Sequence, residues 1–305
     1  MDGPILKIGV CGNLTIDELL RNGARIVRPG GSALFSSLAA SALGAKVSIL
    51  STIGDDYPRK VLSKIKRKGI DTTRVDRFSG KTTRFRISYS QDNRILELIY
   101  PGKRLGSNSK FSAPLDAIHL GPVFGEIGIG VLSHARRGCK FLSVDVQGLM
   151  RVPDSKGRVR LVRRNIDPFL SKCNLLKATE KEVRVLAPKK TILSSARQLL
   201  RWGAEHAVIT RGPFGALLVT SDGMIQMPSI PKTRIVDPTG AGDIFTGSWL
   251  ATFRSANDPH WAGAVGAAFA SLSVEKIGLA KFRFSRSELF RRAAWAYNNS
   301  KLVSL

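Results

Sequence analysis

Short apolar runs rich in β-formers recur along the chain, and longer stretches separate them in which apolar positions return every three to four residues. Residues 5–11, 47–52, 117–120, 140–146, 174–176 and 207–210 read as strands of the first kind. Residues 33–43, 127–137, 192–202 and 261–274, and the stretch from Gly54-Asp55-Asp56 to Lys68, read as helices. Strands alternating with helices predict parallel pairing with right-handed crossovers. Two stretches depart from that rhythm. Residues 82–89 and 95–99 alternate apolar with polar positions around Gln91-Asp92-Asn93-Arg94, a hairpin pattern, and residues 19–29 carry the turn-like Arg21-Asn22-Gly23-Ala24.

Composition narrows this picture. With 305 residues and 43% hydrophobic content, the chain can bury a full core as one large α/β domain or two small ones, which excludes a disordered chain or a coiled coil. Every apolar run is interrupted well before the ~18 residues that a membrane-spanning helix requires. The N-terminus enters a strand-like run directly, so no signal peptide and no membrane partner are expected. Cys11, Cys139 and Cys173 are few, odd in number and without metal spacing. They read as buried thiols in a reducing, cytoplasmic setting. The net charge is +25, from 48 Lys and Arg against 23 acids. The basic residues are dispersed, densest from Arg151 to Arg164, with no aromatic-interleaved stripe. They read as solvated surface, with polyanion binding as the minority reading and no nucleic-acid partner expected.

The candidate chemistry centres on Val236-Asp237-Pro238-Thr239-Gly240-Ala241-Gly242-Asp243-Ile244-Phe245-Thr246-Gly247. Gly240 and Gly242 let backbone N–H groups approach a ligand, and the start of the following helix adds free N–H groups and a positive dipole end. An acid in that first turn would repel a bound phosphate, so Asp243 is either an ordinary first-turn Asp or a general base for a hydroxyl attacking that phosphate. No Walker sequence and no Gly-x-Gly-x-x-Gly order is present, so P-loop and dinucleotide readings fail.

Asp-Pro-Thr-Gly-Ala-Gly-Asp closely resembles the C-terminal signature of the ribokinase (PfkB) family of small-molecule kinases, with Pro238 where the signature usually has Thr. Supporting matches run from Gly12 to Gly278. The resemblance implies a three-layer αβα ribokinase-like fold, α/β with a mostly parallel sheet, in a single domain over residues 1–305. It also implies a small β-strand lid from segments 14–29 and 82–100.

The implied reaction is transfer of the ATP γ-phosphate to a hydroxyl of a sugar, polyol or nucleoside. Asp243 would be the base, and the N–H groups of Gly240, Ala241 and Gly242 would hold the developing charge. ATP is the expected donor, although sequence alone does not separate it from ADP. Asp17, after the first strand, would grip acceptor hydroxyls, or is a turn Asp serving local N–H groups. Gly30 and Gly31 would contact the acceptor, and Thr83 and Arg84 would reach it from the lid. The family commonly has an Asn a few residues after the glycine pair, where this chain has Phe35 or Ser36.

Asp145-Val146-Gln147-Gly148…Arg151 is similar to the branch containing inositol kinases and archaeal sugar kinases, so Asp145 and Gln147 would bind a myo-inositol-like polyol, or else form a strand end with a helix cap. That polyol is the favoured acceptor; an aromatic at Phe35, which could stack on a base, makes a nucleoside the alternative, and a non-catalytic nucleic-acid-binding protein on the same fold is the distant one. Thr210, Gly212, Gly215, Thr239 and Gly278 would meet the nucleotide. Glu182 would organise Mg²⁺-bound water, or close a capping box with Thr179, or both. Asp237 would sit near a monovalent cation such as K⁺. A homodimer through the lid is a further implication. Asp55 and Asp56 read as caps of the helix that follows.

Overall fold

The computed structural model describes residues 5–303 apart from 22, 91, 92 and 232. The tips of both predicted hairpins, at Asn22 and at Gln91-Asp92, fall outside the described residues. In chain order the strands are β1 (Lys7–Cys11), β2 (Thr15–Arg21), β3 (Ala24–Gly30), β4 (Lys46–Gly54), β5 (Asp71–Phe78), β6 (Arg84–Ser90), β7 (Asn93–Tyr100), β8 (Leu115–Leu120), β9 (Cys139–Asp145), β10 (Arg151–Pro153), β11 (Val159–Leu161), β12 (Leu175–Thr179), β13 (His206–Thr210), β14 (Ala216–Thr220), β15 (Gly223–Met227) and β16 (Lys301–Val303). Ten of them form one sheet in the order β16-β15-β14-β13-β12-β9-β8-β1-β4-β5, parallel from β13 to β5 and antiparallel from β13 outward to β16.

Helices cover both faces of this sheet, which is why its central strands read as unbroken apolar runs. One core contains side chains of the helices Ser32–Ala42, Ala241–Ala256, Pro259–Val274 and Arg286–Asn298, and the other those of Ile129–Arg137, Glu180–Leu186 and Ile192–Arg201. This is the three-layer ribokinase-like α/β fold. Sequence periodicity missed β5, whose Asp71-Thr72-Thr73-Arg74 start is polar because it is an edge strand. It also passed over β14, β15, β16 and the last long helix.

Segments 15–30 and 84–100 form a separate four-stranded sheet in the order β3-β2-β6-β7. The basic stretch after Arg151 is not free surface throughout. Arg151–Pro153 and Val159–Leu161 pair as a hairpin that docks on β7, the edge strand of that sheet, with Leu98 N–H donating to the Gly157 carbonyl at 2.8 Å. Asp55 and Asp56 do not cap the helix Arg59–Lys66, whose first residue follows Pro58 without a side-chain cap. Asp56 instead accepts from Thr82 N–H at 2.8 Å, from its hydroxyl at 2.7 Å and from Arg84 at 3.1 Å, tying the lid strand to the loop after β4.

The helix that carries the small-residue turn lies unusually close to the first helix. A Cβ built on Gly247 would stand 2.3 Å from the Ser36 carbonyl oxygen, so the crossing tolerates no side chain there. Gly247→Ala should therefore lower the unfolding free energy by about 1–3 kcal/mol, read as a lower denaturant midpoint at unchanged slope.

Candidate active site

The turn 237–243 sits at the start of the helix Ala241–Ala256. Gly240 is the N-cap at φ 77°, a left-handed conformation, and a Cβ there would stand 2.5 Å from the Phe35 ring, so the position excludes other residues twice over. Phe35 is thereby committed to the core beneath the turn, 2% exposed, and does not offer a stacking face. Asp243 lies in the first helical turn, with its backbone carbonyl held by the Ser36 hydroxyl at 3.0 Å. The residue keeps some surface, but its Oδ1 has no solvent contact and no hydrogen-bond partner.

Beneath that carboxylate stands a lysine that the sequence reading missed. Lys177, on β12, is 3% exposed and donates to Asp145 Oδ2 at 2.7 Å. A Cβ built on Gly242 would lie 3.3 Å from its Nζ. Burial pushes Asp243 above the usual carboxylate range, the Lys177 ammonium pulls it part of the way back, and the Asp145 charge adds to the rise. Burial alone would lower the pKa of Lys177, but Asp145, Glu182 and Asp243 outweigh it and hold the ammonium charged. The clue in the sequence was a charged residue inside the apolar run Leu175-Leu176-Lys177-Ala178.

Asp145 is therefore committed. It is fully buried, with Oδ2 on Lys177 and Oδ1 accepting from Gln147 N–H at 2.9 Å, so both of its oxygens have protein partners. Gln147 Oε1 accepts from Arg151 at 2.7 Å, and the Arg151 guanidinium lies 5.7 Å from the centre of the Phe85 ring on the lid. Arg84 is also engaged elsewhere, with Asp56 at 3.1 Å and Glu18 at 3.4 Å. Its register partner is Ile16, one residue before Asp17, which directs it to the opposite face of the lid. Thr83 is held by Asn13 and by the Pro101 carbonyl.

Asp17, on β2, accepts from the Thr15 hydroxyl at 2.7 Å. A Cβ at Gly30 would collide with Asp17 Oδ2 at 2.0 Å, and one at Gly31 (φ 97°) with the Asn13 carbonyl at 2.4 Å. Gly30 thus makes room for the Asp17 carboxylate, and Gly31 for the backbone at Asn13. The next residue, Ser32, places its hydroxyl beside Asp243 and lowers that group's pKa. Gly30-Gly31-Ser32 thus runs from the Asp17 carboxylate to the neighbourhood of Asp243. Asp243 Oδ1, Ser32 Oγ, His119 Nε2 and Thr239 Oγ1 are buried without a hydrogen bond of good geometry, and a Cβ built on Gly121 would stand 2.3 Å from Ser32 Oγ and 3.1 Å from His119 Nε2. Burial takes the His119 imidazole down to about 4, so it is neutral at pH 7.

Of the residues expected to meet the nucleotide, Thr210 ends β13 with Oγ1 at 3.9 Å from a Cβ built on Gly242. Gly212 and Gly215 bound the turn that follows, both at positive φ. Gly278 (φ 56°) opens the 3-10 turn Gly278–Phe282. Glu182 does form the capping box: its Oε2 accepts from Thr179 N–H at 2.7 Å while the Thr179 hydroxyl accepts from Glu182 N–H. Its charge also acts on Lys177. No group of three or more His, Cys, Asp or Glu able to hold a metal occurs among the described residues. One carboxylate near a phosphate turn does suit Mg²⁺, which keeps most of its waters and binds substrate phosphates.

The sequence profile described as pfkB family carbohydrate kinase matches residues 8–283. The chain belongs to that family. It is an ATP-dependent kinase with an alcohol group as acceptor, of the class acting on sugars, polyols and nucleosides. The family member named cytidine kinase from Thermococcus kodakarensis is 29% identical over 256 residues, covering 82% of this chain and 89% of that protein. An inositol 3-kinase from Arabidopsis thaliana is 27% identical over 292 residues, covering 92% of this chain and 77% of that protein. Among solved structures, a pyrophosphate-dependent kinase in the ribokinase family, complexed with a pyrophosphate analog and myo-inositol, superposes at a TM-score of 0.79 with 22% identity, covering 93% of this chain and 99% of that one. No helix among the described residues of this pfkB-family kinase is long and apolar enough to cross a membrane.

The electrostatic coupling of Lys177 to Asp243 makes a kinetic prediction. Removing a cation that lowers the Asp243 pKa raises it further, and a base must be ionised to work. Lys177→Met should therefore move the acidic limb of kcat/KM to higher pH and lower kcat by about 10²–10³. A pH–rate profile of the variant that superposes on the wild type would contradict the assignment.

Proposed function

We propose that this chain transfers the γ-phosphate of ATP to a hydroxyl of a polyhydroxylated ring, with the ribose of a nucleoside such as cytidine as the leading acceptor. The observation that carries the reaction is the placement of Asp243. A buried carboxylate with an unpartnered oxygen and a raised pKa stands in the first turn of a helix whose glycine-rich N-terminus is shaped for phosphate.

Asp243 accepts the acceptor's proton as the hydroxyl oxygen attacks the γ-phosphorus, and the bond to the ADP leaving oxygen breaks. The N–H groups of Gly240, Ala241 and Gly242 and the Lys177 ammonium hold the charge on the transferred phosphoryl group. Asp17, with Thr15 beside it, orients the acceptor. The lid sheet excludes water, which suppresses hydrolysis of the nucleotide. Thr210, Gly212, Gly215, Thr239 and Gly278 line the nucleotide side. Mg²⁺ supplies neutralisation of the nucleotide phosphates, and Glu182 is the carboxylate placed to order its water shell.

The acceptor reading follows what remains uncommitted. Asp145, which favoured a cyclitol, is occupied by Lys177, and Phe35, which favoured base stacking, lies under Gly240. Neither residue separates the two. The similarity to a cytidine kinase over most of both chains is what supports the nucleoside as the first reading. A myo-inositol-like cyclitol is the second reading, favoured by the inositol 3-kinase match over 92% of this chain.

The test is phosphoryl transfer from ATP, ADP and pyrophosphate to cytidine, other nucleosides, ribose, myo-inositol and related polyols. Asp243→Asn should lose ~100-fold or more in turnover with MgATP affinity retained within a few-fold. Near-normal turnover in that variant removes the base assignment. Silence with every acceptor, while MgATP still binds, removes the acceptor class.

A further inference from the structure

The carbonyl and carboxylate oxygens around Asp237, where family resemblance led us to expect a monovalent cation, hold a lysine. Lys281 is fully buried, at 0% exposure, in the 3-10 turn Gly278–Phe282. An ammonium has three donors and no acceptor. Here its Nζ meets three oxygens: the Asp237 carbonyl at 2.6 Å, the Ser273 carbonyl at 3.1 Å and Asp237 Oδ2 at 3.2 Å. The same carboxylate is gripped from the other side by the buried Arg28 of β3, through Nη1 to Oδ2 and through Nη2 to Oδ1 at 3.0 Å.

Two cations on one carboxylate leave a net positive charge at this spot. A free K⁺ would have to displace the ammonium from its oxygens, or sit beside two positive charges in a region that screens them weakly. The residues therefore do not fit a bound monovalent cation.

The lysine also has a mechanical position. Asp237 Oδ1 accepts from Thr239 N–H at 3.1 Å, and the Asp237 N–H donates to the Val274 carbonyl at 2.9 Å. Lys281 thus clips the root of the phosphate turn to the end of the helix Pro259–Val274, while Arg28 clips it to the lid.

We infer that the Lys281 ammonium is a tethered replacement for a monovalent cation, holding the turn 237–242 in place and making the protein indifferent to K⁺. A monovalent ion and an ammonium can do the same work on carbonyl oxygens, but the tethered one is always present at full occupancy. Only the nucleotide-affinity arm of the test rests on the kinase reading; the stability arm does not.

The experiment compares melting temperature and MgATP affinity in KCl, NaCl and tetramethylammonium chloride at equal ionic strength. For the wild type, melting temperatures should agree within about 1 °C and MgATP affinities within about 2-fold. A specific K⁺ site filled at about 100 times its dissociation constant would instead raise the melting temperature by several degrees. Lys281→Ser removes the ammonium and leaves the carbonyls. It should melt lower than the wild type in tetramethylammonium and gain about 3 °C or more in K⁺.

A K⁺-specific rise in the wild type overturns the inference, and so does a folded Lys281→Ser protein with no response to K⁺. If that variant does not fold in any salt, the wild-type comparison decides alone. Loss of MgATP binding in all three salts would count against the nucleotide assignment and leave the melting result standing.

Discussion

A lysine ammonium buried between carboxylates holds the centre of this molecule. Lys177 and Asp145 are register partners on the adjacent parallel strands β12 and β9, so their ion pair is a direct product of the sheet order. Removing a partner from a buried pair typically costs about 3–5 kcal/mol, because the remaining charge is left without compensation. The pair is not neutral toward its surroundings. Asp243 and Glu182 also act on Lys177, so the ammonium is the common counter-charge of three acids. It stands against Gly242, where a bound phosphate would add more negative charge. The carboxyl ends of parallel strands are where α/β proteins place ligands, and here the reason is visible in one side chain.

The acceptor half is joined to that centre by short bridges. Gly30 and Gly31 let β3 turn into the first helix close against Asp17, and Ser32 arrives beside Asp243. Arg28 binds Asp237 across the gap between lid and main sheet, and Asp56 binds Thr82 and Arg84 in the same sense. The small sheet is therefore tied to the turn 237–243 through Arg28 and to the loop after β4 through Asp56. Arg28 and Asp237 reinforce this: burial pushes the Asp237 carboxyl up, but Arg28 and Lys281 outweigh it and keep the carboxyl below its usual range.

The fold was legible mainly where burial was two-sided. The runs at β1, β4, β8, β9, β12 and β13 announce themselves because helices cover both faces, and the lid hairpins because their alternation differs. The polar edge strand β5 and the partly exposed β15 and β16 lack that signature, whereas β14 carries it in Ala216-Leu217-Leu218-Val219 and was passed over. At the site, the glycine turn and Asp17 stood out as local patterns. Lys177, Arg28 and Lys281 did not, because each takes its meaning from a partner far along the chain: 32 residues away for Lys177–Asp145, 209 for Arg28–Asp237 and 44 for Lys281–Asp237. The same long-range pairing gives Asp145 and Arg84 protein partners at Lys177, Asp56 and Glu18. Spacing suggests which residues have ligand chemistry, but only the fold says which of them are already occupied.

The most direct test of this account is the titration of the Asp243 carboxyl itself. Carbon-13 NMR of the side-chain carboxyl carbons, assigned by the Asp243→Asn spectrum, reports its protonation without any substrate. In the wild type it should titrate above the ~3.9 of an unperturbed aspartate, and in Lys177→Met higher still. A carboxyl that titrates at or below that value, unmoved by the loss of Lys177, would contradict the claim that a buried, lysine-moderated base lies at the head of this helix.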